Sequence, residues 1–274
     1  MTERVAFIGG GNMGRAILGG LLARGHPAEA LIVADPMPAI RDALARDFAI
    51  EVTADNAHAV TGADVVLLAV KPQQMREVVS GLAPGLAAKR PLLLSIAAGI
   101  TTHSLRSWAG IELPLVRAMP NTPALIGRGA TALYATGSTL PPARALAEAL
   151  LAATGLVLWV DEESALDAVT ALSGSGPAYV FLLIECLADA GVALGLSPEV
   201  ARQLALATAS GAAELAAQSP HPPGTLRAQV TSKGGTTERA LEVFAAGGFA
   251  PLVHRALTAA ATRAAELSRE FGKV

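Results

Sequence analysis

Three glycines near the start of the chain constrain its fold more than any other feature. Gly9, Gly11 and Gly14 spell G-x-G-x-x-G within "FIGGGNMG". The run follows a short apolar stretch, residues 5–8, and opens a helical pattern at Asn12 and Met13. In that setting the first glycine permits a tight turn, the second lets backbone approach a pyrophosphate, and the third lets helix and strand pack closely. The helix N-terminus adds free N–H groups and the positive end of the helix dipole. Asp35 lies 21 residues beyond Gly14, at the end of the next apolar run. An acid there accepts a hydrogen bond from the adenosine ribose of NAD(H) and repels a 2′-phosphate. Arg41, on the following helical stretch, reads either as a cation for that phosphate or as a solvated charge.

Apolar runs at 5–8, 31–34, 65–70, 92–96, 115–119 and 156–160 read as buried strands, with weaker candidates at 50–52 and 130–134. Helical patterns at 39–46, 75–82 and 143–153 separate them. Such alternation predicts a doubly wound parallel sheet, Rossmann-like, with helices on both faces. After Asp161 no strand pattern appears. Ala- and Leu-rich stretches at 164–172, 177–194, 198–218, 237–246 and 250–271 predict an all-helical domain, with "SPHPPG" (219–224) as a break. The fold class is therefore α/β, with a dinucleotide-binding domain over 1–160 and a helical domain over 161–274. The chain has 58 alanines, which favour helix. Few charges and much small-residue surface on the later helices imply a face buried against another subunit.

With 21 basic and 23 acidic residues the net charge is −2, which gives no footprint for nucleic acid or an anionic membrane. The apolar window 177–196 carries Glu185 and Asp189, both costly inside a bilayer, so it reads as a core or interface helix. The N-terminus lacks a basic segment followed by a long apolar run, so no signal peptide is expected. Cys186 is the single cysteine, which excludes an intrachain disulfide and suits a cytoplasmic setting. The five histidines show no metal-ligand spacing, and no G-x-S-x-G or S-x-x-K nucleophile is present. No metal is expected.

Several loops follow strands or open helices. "AVKPQ" ends the third long apolar run, which directs Lys71 and the backbone of Ala69 and Val70 towards the crevice where open α/β sheets bind ligands. "SIAAGI" (95–100) ends another run in small residues, and "RAMPNTPALIGRG" (117–129) forms a rigid loop after the next. In the helical half, "VTSKGGTTERAL" (230–241) sets four hydroxyls around Gly234 and Gly235 before a helix. That pattern suits a carboxylate; equally, Thr236 or Thr237 serves as a helix cap.

Six stretches taken together resemble the Δ1-pyrroline-5-carboxylate reductases: "FIGGGNMG", "VLLAVKPQ", "SIAAGI", "RAMPNTPALIGRG", "ALSGSGPAYVF" and "VTSKGGTTERALEVFAAGGF". They occur in the family's order and span nearly the whole chain. The resemblance implies reduction of the C=N bond of L-1-pyrroline-5-carboxylate to L-proline by hydride from NAD(P)H. It implies a small-molecule substrate and a helical dimerisation domain, with dimers in some relatives assembling as decamers of five. NADPH is the family's usual coenzyme, while Asp35 keeps NADH open. Carried over by motif, Gly9, Gly11, Asn12, Met13, Gly14, Asp35, Asn56, Ala69, Val70, Lys71, Pro72, Ala97, Met119, Pro120 and Asn121 would bind the coenzyme. Ser232, Gly235 and Thr236 would take the substrate carboxylate, Glu163 would lie near the substrate, and Thr237 would hydrogen-bond the ring nitrogen. Lys233 departs from the family, where proline is common. The alternatives are a related imine reductase or hydroxyacid dehydrogenase, or a non-catalytic dinucleotide sensor. A dehydrogenase of that kind uses a lysine in the helical domain, yet Lys233 is the only lysine between residues 90 and 271.

Overall fold

In a computed structural model the structure describes residues 2–272. The chain divides into two compact units. One runs from the N-terminus to Ser175 and takes in the chain from Ala260 onward; the other is Gly176–Ala259.

The first unit is built on an eight-stranded sheet: β1 (Val5–Ile8), β2 (Leu31–Ala34), β3 (Glu51–Thr53), β4 (Val65–Leu68), β5 (Leu92–Ser95), β6 (Leu115–Met119), β7 (Gly129–Ala135) and β8 (Gly155–Trp159). The spatial order is β3-β2-β1-β4-β5-β6-β7-β8. Val5 lies opposite Leu31 on one side and Val65 on the other, in parallel register. The helices are α1 (Asn12–Ala23), α2 (Pro38–Phe48), α3 (Asn56–Val60), α4 (Pro72–Lys89), α5 (Thr102–Ala109), α6 (Pro141–Leu151) and α7 (Ala165–Val169). Alternate strand residues enter two separate cores. Ala6, Ile8, Val66 and Leu68 pack with α3, α4 and α5. Val5, Phe7, Val65 and Leu67 pack with α1, α2 and α6. Both faces are dry, which is why these strands read as unbroken apolar runs.

Every strand expected from the sequence is present, the two weaker ones included. One pairing departs from the parallel rule: β6 and β7 are antiparallel. A single 3-10 segment, Thr122–Ile126, links them, and so short a link cannot carry the crossover a parallel pair needs. β8 returns parallel to β7 after α6. At that pairing Gly155 has φ +139°, and a Cβ there would collide with the backbone of Gly129.

The second unit holds α8 (Gly176–Ala193), α9 (Pro198–Gln218), α10 (Pro223–Gln229), α11 (Thr236–Ala246) and the start of α12 (Phe249–Phe271). The helix α10 was not expected; its prolines at 222 and 223 start it rather than merely breaking the chain. Gly191 lets α8 and α9 approach, since a Cβ there would lie 3.2 Å from that of Ala201. Beyond that contact the unit covers little of itself. No residue of α8, α10 or α11 is buried, and Phe181, Leu182, Val243, Phe244 and Phe249 are exposed. Residues 165–193 are long and apolar enough to cross a membrane by length and composition. Of the two readings of that window, core or interface helix, burial within the chain does not hold, and Cys186 is likewise exposed.

Replacing Gly155 by Ala should destabilise the first unit by about 2 kcal/mol or more, through positive-φ strain and the forced separation of β7 from β8. Chemical denaturation of the purified variant against the parent checks this.

Candidate active site

The β1–α1 turn is shaped by contacts that exclude side chains. Gly9 has φ +103°, and a Cβ there would sit 2.7 Å from the carbonyl oxygen of Ala69. A Cβ at Gly14 would sit 2.8 Å from that of Gly9. Gly11 meets nothing within 4 Å, so its outer face stays open. It is also the N-cap of α1, with no side chain capping the helix. The N–H groups of Asn12, Met13 and Gly14 therefore stand free, as an anion site requires.

Beside the turn lies a cleft of about 650 Å³, lined by Gly9, Ala34, Ala54, Asn56, Val70, Gln74 and neighbours. These residues follow β1, β2, β3 and β4, and the order of the sheet reverses between β1 and β4. Ligands of open α/β sheets bind at such a switch point. A cleft beside an uncapped helix start is the form a dinucleotide needs, and Gly9, Asn56 and Val70 are on its walls. Lys71 is exposed and caps α4, with Pro72 as its first residue.

Asp35 is held by backbone donors. It is 6% exposed and does not line the cleft, although both its neighbours do. One carboxylate oxygen accepts from Gly10 N at 2.8 Å, the other from Met37 N at 2.9 Å. Its oxygens tie the glycine loop to the β2–α2 turn. Sequence reasoning also passed over Gly10. A Cβ there would lie 2.7 Å from Leu44 Cδ1, so this glycine keeps α2 close.

The expected nicotinamide-side residues are held from within the first unit. Ala97 is 6% exposed and packs into the core. Asn121 Oδ1 accepts from Ala130 N at 2.9 Å, and its amide donates to the carbonyl and hydroxyl of Ser173, both at 3.2 Å. Asn121 therefore pins the loop after β6 to a π-helical turn, Thr170–Gly174. Gly174 meets Met119 there, where a Cβ would have no room. Pro120 is buried between them in sequence.

Glu163 is fully engaged. It pairs with Arg117 Nη1 at 3.0 Å, and Arg117 is 4% exposed. It also accepts from Thr102 N at 2.8 Å and Thr102 Oγ1 at 2.6 Å. Arg117 and Thr102, neither singled out in the sequence, are its partners. Their signal was faint: an arginine inside an otherwise apolar strand needs a buried acid.

In the second unit, Gly234 has φ +73° and Gly235 is the N-cap of α11. Neither threonine caps the helix, so both hydroxyls are left for other work. Gly234 N donates to Glu238 Oε2 at 2.6 Å, and Gly235 N to Ser232 O at 3.0 Å. Glu238 was also overlooked, although an acid three residues past an N-cap is a recognised helix-start device. The Ser232 hydroxyl lies against Gly235, where a Cβ would clash with it. Ser232, Lys233 and Thr236 are exposed, and Thr237 is half-buried. The loop presents hydroxyls and the free first-turn N–H groups of α11. Among the described residues no cluster of three or more His, Cys, Asp or Glu forms a metal site.

Residues 163–267 match the family described as pyrroline-5-carboxylate reductase dimerisation, and residues 4–99 match NADP oxidoreductase, coenzyme F420-dependent. A pyrroline-5-carboxylate reductase of Pseudomonas aeruginosa is 50% identical over 272 residues, covering 99% of each chain. The solved structure of the Coxiella burnetii pyrroline-5-carboxylate reductase superposes with a TM-score of 0.93 at 42% identity, over 98% of this chain and 99% of that one. The Plasmodium falciparum pyrroline carboxylate reductase, solved with NADP bound, gives 0.86 at 29% identity, over 97% and 98%. The chain belongs to the pyrroline-5-carboxylate reductase family. In this reductase fold the nucleotide unit and the helical loop are thus both accounted for by relatives of full length.

Replacing Glu163 by Gln should leave Arg117 buried without its counter-charge and cost about 2–4 kcal/mol. The fall in denaturation midpoint measures it.

Proposed function

We propose that the protein reduces the C=N bond of L-1-pyrroline-5-carboxylate to L-proline, as an NAD(P)H-dependent oxidoreductase in the last step of proline biosynthesis. The observation that carries this reading is the open start of α11. Two glycines, the Ser232 hydroxyl and uncapped N–H groups form a carboxylate-sized anion seat, in a chain whose other unit offers a dinucleotide crevice. The bound coenzyme supplies the hydride.

The protein's own part is positioning. A protonated cyclic imine is already a strong electrophile, so orientation contributes more than acid strength. Ser232, Gly235 and Thr236 fix the substrate carboxylate through hydroxyl and backbone donors. Thr237, half-buried at the first turn, hydrogen-bonds the ring nitrogen and orients it. Glu163 lies near the substrate in this reading, and by holding Arg117 and Thr102 it ties the middle of β6 to the start of α5. Gly9–Gly14, Asn56, Ala69–Pro72, Ala97 and Met119–Asn121 form the coenzyme side, with NADPH as the coenzyme used.

The helical domain read from the sequence, residues 161–274, serves as a dimerisation domain within this reading; the second compact unit, Gly176–Ala259, lies inside it. Its uncovered apolar groove of about 640 Å³, lined by Leu183, Leu187, Leu241, Phe244 and Phe249, is the kind of surface an obligate homodimer buries. A cytoplasmic setting goes with it. Sedimentation should give a dimer or a decamer of five dimers, and a stable monomer would count against the assignment.

Loss of coenzyme absorbance on adding pyrroline-5-carboxylate tests the reaction. Thr237→Val should lower kcat about a hundredfold or more while leaving coenzyme affinity unchanged. Undiminished turnover in that variant would remove Thr237 from the site.

A further inference from the structure

The sequence offers two residues for the ribose corner of the coenzyme crevice, Asp35 and Arg41, and the two are held differently. An acid after β2 ordinarily rejects the 2′-phosphate, because its carboxylate faces the ribose. Here both carboxylate oxygens of Asp35 are held by the N–H groups of Gly10 and Met37, and the side chain is buried. The negative charge is turned into the loop and compensated there.

What remains at that corner is a cation. Arg41 lies on α2 one turn after its start, half-buried, and its Nη1 donates to the backbone carbonyl of Asp35 at 2.7 Å. That places the guanidinium at the carboxyl end of β2, against the carbonyl that precedes Pro36; Pro36 lines the cleft, and Arg41 stands outside its lining. Two other arginines of this region are neutralised. Arg15 and Arg46 share Asp47, at 2.6 and 3.1 Å. Among the described residues Arg41 forms no ion pair, and no lysine or arginine lines the cleft. A guanidinium has five donors and matches phosphate geometry, and one bond to a carbonyl leaves most of them available.

We propose that Arg41 is the residue that selects the coenzyme, by taking the 2′-phosphate of NADPH, and that Asp35 is a positioning residue for the glycine loop with no discriminating role. This rests on the coenzyme reading above but concerns one group of that coenzyme.

The test is binding, read apart from turnover. Affinities of the full-length protein for NADPH, NADH, adenosine 2′,5′-bisphosphate and 5′-AMP are measured by calorimetry, in the parent, in Arg41→Gln and in Asp35→Asn. In Arg41→Gln, affinity for NADPH and for the 2′,5′-bisphosphate should fall about tenfold or more, as loss of a charge-assisted phosphate contact does. NADH and 5′-AMP, measured alongside, should change far less. Asp35→Asn, which removes one acceptor from the loop, should weaken NADPH and NADH together. Equal loss for both coenzymes in Arg41→Gln would overturn the proposal. So would an Asp35→Asn protein that gains NADPH affinity selectively. A parent that binds NADH and not NADPH overturns the role of Arg41 and leaves the reductase reading standing; a parent that binds neither coenzyme overturns both.

Discussion

At the centre of the nucleotide unit, backbone lies against backbone. Gly9 sits on the carbonyl of Ala69, and Gly14 sits on the carbonyl of Gly9. Any Cβ at either position would push β1, β4 and α1 apart. β1, the end of β4 and α1 meet there without side chains between them, and the N–H groups at the start of α1 are left uncapped beside the cleft. The position of the cleft, and the residues that line it from β2, β3 and α4, follow from that one close approach.

A second constraint holds the loop in place. Asp35 ends β2 and anchors the turn after β1 by a single buried carboxylate. Buried carboxylates are tolerated when their oxygens are satisfied, and here backbone donors do this without a counter-cation. Glu163 plays the corresponding part at the far side of the sheet, with Arg117 as its cation and Thr102 as a second donor. Asn121 does the same with neutral groups between β7 and the π-helical turn. In all three cases a polar side chain ties elements together. Such ties fix the geometry of the ligand-facing backbone, and backbone is most of what this crevice offers.

The helical unit obeys a different logic. Its helices are rich in alanine and leucine, yet bury almost nothing within the chain beyond the α8–α9 contact at Gly191 and Ala201. A surface with this much exposed apolar area is an interaction surface rather than a finished core. Against that background the Gly234–Gly235 loop stands apart, since it is polar and ordered by its own hydrogen bonds to Ser232 and Glu238.

Periodicity and local chemistry in the sequence were enough for the elements. Apolar runs named the central strands, because a parallel sheet buried on both faces demands unbroken apolar residues, and G-x-G-x-x-G named the glycine loop, because only glycine fits where backbones touch; the edge strands β3 and β8 are partly exposed, and of these β3 reads less clearly. Direction was not legible. Whether Asp35 faces a sugar or its own loop, and whether Glu163 faces a substrate or Arg117, depends on groups 25 and 46 residues away in the chain. The reversal at β7 depends on link length, and the start of α10 on two prolines that also read as a break. Sequence determines which residue types are present and how they repeat. Only the tertiary structure decides which way a polar side chain turns, because a buried carboxylate goes wherever the nearest unsatisfied donors are, and those donors come from distant segments.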